Sequence, residues 1–309
     1  MHNNSKIPMP AISLAAVPGR RAAIVDIAVE AESRGFAGIY LPSLGDNMSL
    51  ATAIAMRTST IEFGTAIAPI YFRSPLDMGQ AAAFIHEVSG GRFRFGIGVA
   101  HAPAHARYGV TVGKPLADTR SFVATLRGAQ RIGELPPIVL AALRQKMIAL
   151  AGEIADGMVF ANGSLSHMAK SLEALPAARR NDEKFFIGNM IPTCIDDDEA
   201  AAAAVNRRTL THYAALPNYR NYWLEAGYEE EMNGVAAVIA AGQPEKIADH
   251  LSDKWLADNT LYGPASKVLE GLEAWYDAGI RTPILVPSSA RGNQFKAIEE
   301  VFALCAKLA

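Results

Sequence analysis

The residues best suited to chemistry end an apolar, glycine-bearing run at Gly96–His101. Gly96 and Gly98 carry no side-chain bulk, so a flat ring or a phosphate can approach the backbone there and at Val99. The imidazole of His101 titrates near neutrality, which suits a hydrogen bond to a ring carbonyl or a role as general acid or base. A plain surface-loop histidine is the alternative that the residues leave open.

A second candidate site is the tripeptide Asn162, Gly163 and Ser164. It follows an apolar run and precedes a helical stretch that is predicted to begin near Leu165. Free backbone N–H groups at a helix start, with a glycine and a hydroxyl beside them, are typical of a phosphate site. A simple helix cap by Ser164, which needs no ligand, remains open.

Eight short apolar runs alternate with amphipathic helical stretches, a pattern typical of successive βα units around a parallel sheet. The predicted strands are Ala11–Ala15, Gly38–Leu41, Ile61–Pro69, Phe93–Gly98, Ile138–Ala141, Gly157–Ala161, Phe185–Pro192 and Thr282–Val286. Helices are predicted at Arg20–Arg34, Leu76–Val88, Leu143–Ala155 and Ser266–Ala278. The segment Asp196–Asp258 is predicted to be an extended helical passage before the last strand.

An eight-stranded parallel sheet can close into a barrel or stay open and doubly wound, and spacing alone does not separate the two. A dinucleotide-binding open sheet needs GxGxxG directly after its first strand. The first predicted strand is followed by AVPGRR, which offers one glycine where that site needs three. The sequence therefore disfavours dinucleotide binding of that kind.

Composition narrows the function classes further. The chain has 309 residues, of which 50% are hydrophobic, and a net charge of -2, which gives no electrostatic footprint for nucleic acid or an anionic membrane. The two cysteines lack disulfide or zinc spacing, and the seven histidines do not form the His and Asp cluster of a metal-dependent barrel hydrolase. The polar start, Met1–Pro10, lacks a signal-peptide core, and no apolar run is long enough for a membrane span. We expect a soluble cytoplasmic protein that acts on a small molecule without a metal.

Several ordered segments resemble the bacterial-luciferase-like superfamily. The most specific is HEVSGGRFRFGIGVAHAP at 86–103, and RTSTIEFGTAIAPIYFRSP at 57–75 precedes it. The segment PPIVLAALRQKMIALAGEIADGMVFAN at 136–162, followed by NMIPTCIDDDEAA and LPNYRNYW, is similar to the branch that uses an 8-hydroxy-5-deazaflavin.

The resemblance implies a single-domain (β/α)8 TIM barrel over residues 1–309, with a helical insert before the last strand. A flavin or deazaflavin would lie at the C-terminal mouth of the barrel, where such enzymes place their chemistry. The resemblance also implies a non-prolyl cis peptide at Ala66–Ile67, facing the cofactor ring, with Ala68 next to it. Ordinary strand geometry there, or a cis bond at Ala68–Pro69 instead, remains open.

Ser43 stands where many deazaflavin-using relatives carry a histidine, so only a hydroxyl hydrogen bond is expected from it. The implied reaction is hydride transfer between a deazaflavin, coenzyme F420, and a small organic substrate such as an alcohol, imine or activated alkene. FMN-dependent monooxygenation and a non-catalytic flavin-binding role are the alternatives. The resemblance further implies a homodimer. Tyr219, Tyr222 and Trp223 either wall a substrate pocket or pack in the core.

Overall fold

The computed structural model describes residues 7–308, so most of the polar start of the chain lies outside the described residues. The chain forms two compact units. The N-terminal unit comprises Met9–Ala161 and Ser171–Gly188. The C-terminal unit comprises the described parts of Met1–Pro8, Asn162–Lys170 and Asn189–Ala309.

The N-terminal unit is built on parallel strands in the order β1-β2-β3-β5-β6-β7, and β4 pairs with the C-terminal half of β5. The strands are β1 (Ala11–Ser13), β2 (Ile39–Leu41), β3 (Phe63–Thr65), β4 (Ala68–Pro69), β5 (Phe93–Gly98), β6 (Ile138–Ala141) and β7 (Gly157–Ala161). The helices between them are α1 (Arg21–Ser33), α2 (Asn47–Arg57), α3 (Pro75–Val88), α4 (Ala102–Tyr108), α5 (Pro115–Gly128) and α6 (Gln145–Ile154). After β7 come α7 (Met168–Glu173) and α8 (Ala177–Arg180).

The C-terminal unit continues the alternation and adds the helical passage. Strand β8 (Phe186–Ile195), which starts in the N-terminal unit, pairs with both β9 (Leu261–Gly263) and β10 (Thr282–Ser288). Between β8 and β9 lie α9 (Glu199–Ala214), α10 (Pro217–Glu225), α11 (Glu229–Ala240), a 3-10 helix (Pro244–His250) and α12 (Asp253–Asn259). Helices α13 (Ala265–Asp277) and α14 (Gln294–Cys305) flank β10. The predicted helical passage is therefore confirmed.

Local sequence explains where the helices next to the strand exits begin. The Asp46 carboxylate accepts the Ser49 amide at the start of α2, and the Ser74 hydroxyl accepts the Asp77 amide at the start of α3. Such side-chain caps satisfy N–H groups that have no partner inside the helix. Both helices therefore start at fixed points just after β2 and β4.

The arginine of the SGGRF segment, residues 89–93, makes several hydrogen bonds to the backbone. The guanidinium of Arg92 donates to the carbonyl oxygens of Ala55, Thr58, Ile61 and Ser89 at 2.8 to 3.1 Å. One arginine side chain thus provides hydrogen-bond donors for backbone carbonyls at the end of α2, before the start of β3 and after the end of α3, and so links these three segments. Arg92 therefore has a structural role in this segment.

The predicted strands agree with the structure to within a few residues, with two corrections. The predicted strand Ile61–Pro69 is two short strands, β3 and β4, interrupted at Ala66–Ile67. Strand β9 is not among the predicted strands; it follows directly on the helical passage. The helix expected near Leu165 begins at Met168, because residues 165–167 form a turn.

Candidate functional site

The peptide bond between Ala66 and Ile67 is cis, as the resemblance implies. Within residues 7–308 it is the one cis bond, and Ala68–Pro69 forms β4 instead. Ala66 and Ala68 are buried, while the Ile67 side chain between them is partly exposed. The exit of β3 therefore offers one aliphatic side chain and bare backbone to a ligand.

Asn47 fixes this exit, and sequence reasoning missed it. Its buried amide nitrogen donates to the carbonyl of Ile67 at 3.1 Å and contacts those of Pro42 and Leu41 at 3.3 and 3.4 Å. The side chain thereby joins the loop after β2 to the segment between β3 and β4. Asn47 is the second residue of the DN pair that starts α2, but nothing in its spacing reveals partners twenty residues away.

The glycines of β5 have a packing explanation. A Cβ at Gly96 would lie 1.7 Å from the carbonyl oxygen of Thr65, and one at Gly98 would lie 2.8 to 2.9 Å from the side chains of Ala141 and Ile67. Both positions thus require glycine for the close approach of β5 to its neighbours. Their predicted contact with a cofactor, like that of Val99, stays a prediction.

His101 lies at the start of α4, directly after the exit of β5, and is partly buried. Burial first, and the neighbouring His105 second, hold the pKa of His101 below its ordinary value. His105 is one helical turn further on, and its Nε2 lies 2.6 Å from the carbonyl of Val99, so this nitrogen carries the proton. The His101 imidazole is therefore neutral at neutral pH and able to accept a proton.

Tyr71 and Asp118 complete the surroundings of the two histidines. The Tyr71 hydroxyl donates to the Asp118 carboxylate at 2.7 Å, and the Tyr71 ring meets the His105 ring edge to face at 5.6 Å. These contacts join the segment after β4 to α4 and α5. Ser43, by contrast, lies exposed in the bend before α2.

In the C-terminal unit, the expectation of free amides at Asn162, Gly163 and Ser164 is wrong. The Asn162 amide donates to the carbonyl of Met190, and the Gly163 amide lies 3.4 Å from Asn189 Oδ1. The Ser164 amide donates to the Tyr222 hydroxyl at 2.9 Å. Because protein groups take all three amides, the reason for a phosphate site there is lost. Cofactor binding by these residues stays a prediction.

The insert aromatics are packed rather than lining an open pocket. Tyr219, Tyr222 and Trp223 are buried, and Trp223 meets Trp255 edge to face at 4.7 Å. Asn259 Oδ1 accepts hydrogen bonds from the Ser164 hydroxyl and the Trp223 indole at 2.7 and 2.8 Å. The loop after β7 is thus anchored on α10 and α12.

The part of the chain that the structure describes has neither a metal-binding cluster nor a membrane-spanning helix. In that part, no group of three or more His, Cys, Asp or Glu side chains is arranged to hold a metal ion. In the same residues, no helix combines the length and apolar character that a bilayer crossing requires.

The fold and the strand-exit site define a class of protein, the (β/α)8-barrel enzymes that carry their chemistry after the strands. The profile of the luciferase-like monooxygenase family matches residues 9–282, so the chain belongs to that family. This confirms both the resemblance and the barrel fold class.

Individual proteins with a name or a solved structure are also similar to this chain. A protein of Mycobacterium tuberculosis, assigned by name as a coenzyme F420-dependent oxidoreductase, is 26% identical over 280 residues, with 75% of this chain and 81% of that protein covered. The F420-dependent tetrahydromethanopterin reductase from Methanopyrus kandleri superposes with a TM-score of 0.73 at 17% identity, covering 96% of this chain and 98% of that one. The oxygenating constituent of 3,6-diketocamphane monooxygenase from Pseudomonas putida, in complex with FMN, superposes with a TM-score of 0.61 at 15% identity. The match covers 97% of this chain and 96% of that one.

Proposed function

We propose that the protein is an oxidoreductase that transfers a hydride between the deazaflavin coenzyme F420 and a small organic substrate. The observation that carries this proposal is the neutral, partly buried imidazole of His101 at the exit of β5. Similarity to two proteins named as F420-dependent supports the choice of coenzyme.

The residues at the exits of β3 and β5 fit such a coenzyme. Ile67, between two buried alanines, presents an aliphatic surface for a flat ring, and we propose that the backbone of Ala66, Ala68, Gly96, Gly98 and Val99 adjoins the same ring. When bound, the coenzyme supplies the two-electron redox chemistry. In alcohol oxidation, His101 would accept the hydroxyl proton at Nδ1 or Nε2 while the carbinol C–H bond delivers its hydride to the oxidised coenzyme, which would give a carbonyl product and the reduced coenzyme. Ser43 contributes at most a hydroxyl hydrogen bond.

Titration of the purified protein with coenzyme F420 and with FMN tests the coenzyme. We expect F420 to bind, and a panel of secondary alcohols to bleach the oxidised coenzyme in the wild type but not in His101→Gln. Binding of FMN without detectable binding of F420 would reverse the choice. Cofactor binding without turnover on any substrate would favour a non-catalytic flavin-binding protein.

The second candidate function is FMN-dependent monooxygenation. It is favoured by Ser43, which replaces the histidine of many deazaflavin-using relatives, and by the likeness to an FMN-bound monooxygenase. This function predicts oxygen consumption by the FMN-loaded, reduced protein that depends on substrate. Oxygen uptake at the background rate of free reduced FMN would exclude it.

We also propose that the protein is a homodimer. Three large apolar side chains on α2 and α3 are exposed: Met56 by 67%, Leu76 by 50% and Phe84 by 53%. Leu76 also borders a groove of about 470 Å³ between α3 and α5. Leu76 and Phe84 are eight residues apart on α3 and so share one face of that helix, and an exposed apolar face is typical of an interface. Light scattering after gel filtration should give about 66 kDa for the wild type and about 33 kDa for Phe84→Glu; a monomeric wild type would refute the proposal.

Two broader expectations remain proposals. We propose that residues 1–309 act as one barrel domain, which limited proteolysis followed by mass spectrometry tests, since two stable fragments would contradict it. We propose a cytoplasmic location because both cysteines, Cys194 and Cys305, are free and buried.

A further inference from the structure

Helix α4 determines where His101 lies. His101 directly precedes α4, and its backbone carbonyl accepts the amides of Ala104 and His105 at 2.9 and 3.0 Å. At Ala100 the chain turns with a φ of 57°, a conformation that residues with a side chain rarely adopt unless their surroundings require it. A shift of α4 would therefore move the imidazole that we propose as the base.

Helix α4 is loosely packed on the N-terminal unit. None of its seven residues, all of which the structure describes, is buried. Ala104 and His105 are partly buried, and Tyr108 lies one turn beyond them, so these three positions continue the helix face on which His101 begins. A helix that buries so little surface is held in place by the few contacts of this one face.

That face of α4 contacts two aromatic residues that follow β4. The Tyr71 ring meets the His105 ring edge to face at 5.6 Å, and Phe72 stacks on Tyr108 with 4.2 Å between ring centroids. His105 is one helical turn from His101, whereas Tyr108 is two turns away. Tyr71 is therefore the aromatic side chain that contacts α4 nearest to His101.

The hydroxyl end of Tyr71 is held by Asp118, in the first turn of α5. The hydroxyl donates to Asp118 Oδ2 at 2.7 Å, and burial first, then this carboxylate, raise the pKa of Tyr71, so the hydroxyl keeps its proton. A Cβ on Gly113 would lie 2.6 Å from the same oxygen, so the segment between α4 and α5 passes beside this bond. Unlike α4, α5 is anchored in the core by Phe122 and Leu126.

We propose that Tyr71, held by Asp118, is a positioning residue that keeps α4, and with it the His101 imidazole, at the exit of β5. This inference rests on the proposed function, which makes His101 the base. It assigns Tyr71 no contact with the substrate or the coenzyme. A displacement of about 1 Å can slow an enzymatic reaction about a hundredfold, so the position of α4 matters for turnover.

The test compares Tyr71→Leu and Tyr71→Phe with Arg120→Gln. Leucine removes both the ring contact and the hydroxyl, whereas phenylalanine removes only the hydroxyl. Arg120 also lies on α5 and donates to the exposed Glu153 carboxylate at 2.5 and 2.6 Å, so the control loses an α5 pair that involves no residue of α4. NMR titration of the histidine side chains, with the His101 signal identified by its loss in His101→Gln, gives the pKa of His101 without any coenzyme.

We expect the pKa of His101 to rise in Tyr71→Leu, because burial is the main cause that lowers it and a displaced α4 exposes the imidazole to water. The kcat for alcohol oxidation should fall about tenfold, with an unchanged Kd for F420. In the His101→Gln background, Tyr71→Leu should lower kcat no further, since two changes that act through one group are not additive. Tyr71→Phe should shift the pKa and kcat less, and Arg120→Gln should shift neither.

Three results would overturn the inference. An unchanged His101 titration in Tyr71→Leu would show that α4 stays in place without the ring, and Tyr71→Phe decides in the same way if the leucine variant does not fold. An equal rise in Arg120→Gln would show a general loosening of α5. A further fall of kcat in the double variant would show that Tyr71 acts by another route.

Failure of the proposed function gives a different result. A wild type that binds no F420 and oxidises no alcohol would refute that function. The coenzyme-free titration would still decide whether Tyr71 positions the imidazole of His101.

Discussion

Replacing Asn47 with leucine tests whether one buried amide holds the exit of β3 in place. The substitution keeps the side-chain volume but removes the donor to Ile67, at 3.1 Å, and the two longer contacts at 3.3 and 3.4 Å. A buried carbonyl left without a donor costs about 1–3 kcal/mol, and the long contacts add less, so we expect a loss of about 2–3 kcal/mol. For a chain of this size, that loss lowers the melting temperature by about 3–5 °C.

The same change should weaken cofactor binding. Once the Ile67 carbonyl has lost its partner, the segment between β3 and β4 moves to find water or another donor, and we expect about tenfold weaker binding of F420. Calorimetry gives the melting temperature, and fluorescence titration gives the affinity. Asn206→Leu is the control, because it removes two comparable bonds that involve none of the predicted cofactor contacts.

The hydrogen-bond argument is refuted if Asn47→Leu melts within about 1 °C of the wild type. The positioning argument is refuted separately, if affinity falls equally in Asn47→Leu and Asn206→Leu, because general loosening would then explain both. Only a stability loss in both variants, with an affinity loss in Asn47→Leu alone, supports the assigned role.

Three further predictions concern single side chains. His101→Gln should lower kcat for alcohol oxidation about 10²- to 10⁴-fold. Because burial lowers the pKa of His101, wild-type activity should fall off only below about pH 6.5. An apparent pKa above that value in the pH profile would exclude His101 as the base. Gly96→Ala should lower the free energy of unfolding by more than about 3 kcal/mol, because the new Cβ would overlap the backbone carbonyl oxygen of Thr65, which cannot move aside as a side chain can. An unchanged melting temperature would show that the strand adapts. Hydrogen bonds from Arg291 lower the pKa of Asp196 to about 2, so this pair stabilises the fold above about pH 4 and the effect is lost as pH falls toward 2. Arg291→Gln should therefore shift acid unfolding, followed by circular dichroism, to higher pH, and a superimposable acid transition would count against the pair.

The strands could be predicted because their signal is local. Strands β5, β6 and β7 match their predicted bounds, since each is a short run dominated by apolar residues. The split of the third predicted strand at Ala66–Ile67 came from the family resemblance alone. No property of two aliphatic residues in an apolar run reveals a backbone interruption.

The candidate site could be located from the sequence, but its hydrogen bonds could not. The tripeptide after β7 was rightly placed at a strand end, yet its amides are engaged by Asn189 and Tyr222, which are 26 and 58 residues away from their partners. Whether an N–H group is free depends on the whole fold, because any distant side chain can satisfy it. For the same reason, Asn47 could be identified only from the structure.

The segments that carry the family resemblance contain residues with different physical roles. Arg92, in the most specific segment, donates to four backbone carbonyls and holds two helix ends against β3. This structural role does not depend on which substrate the protein binds. His101, in the same segment, is the residue proposed to accept a proton at the exit of β5. We therefore expect Arg92 to stabilise the barrel, and the choice of cofactor to depend on residues at the strand exits. Substitutions at Arg92 should consequently lower the melting temperature without altering the ratio of the F420 affinity to the FMN affinity. A folded Arg92 variant with a changed affinity ratio would show that Arg92 also influences cofactor choice.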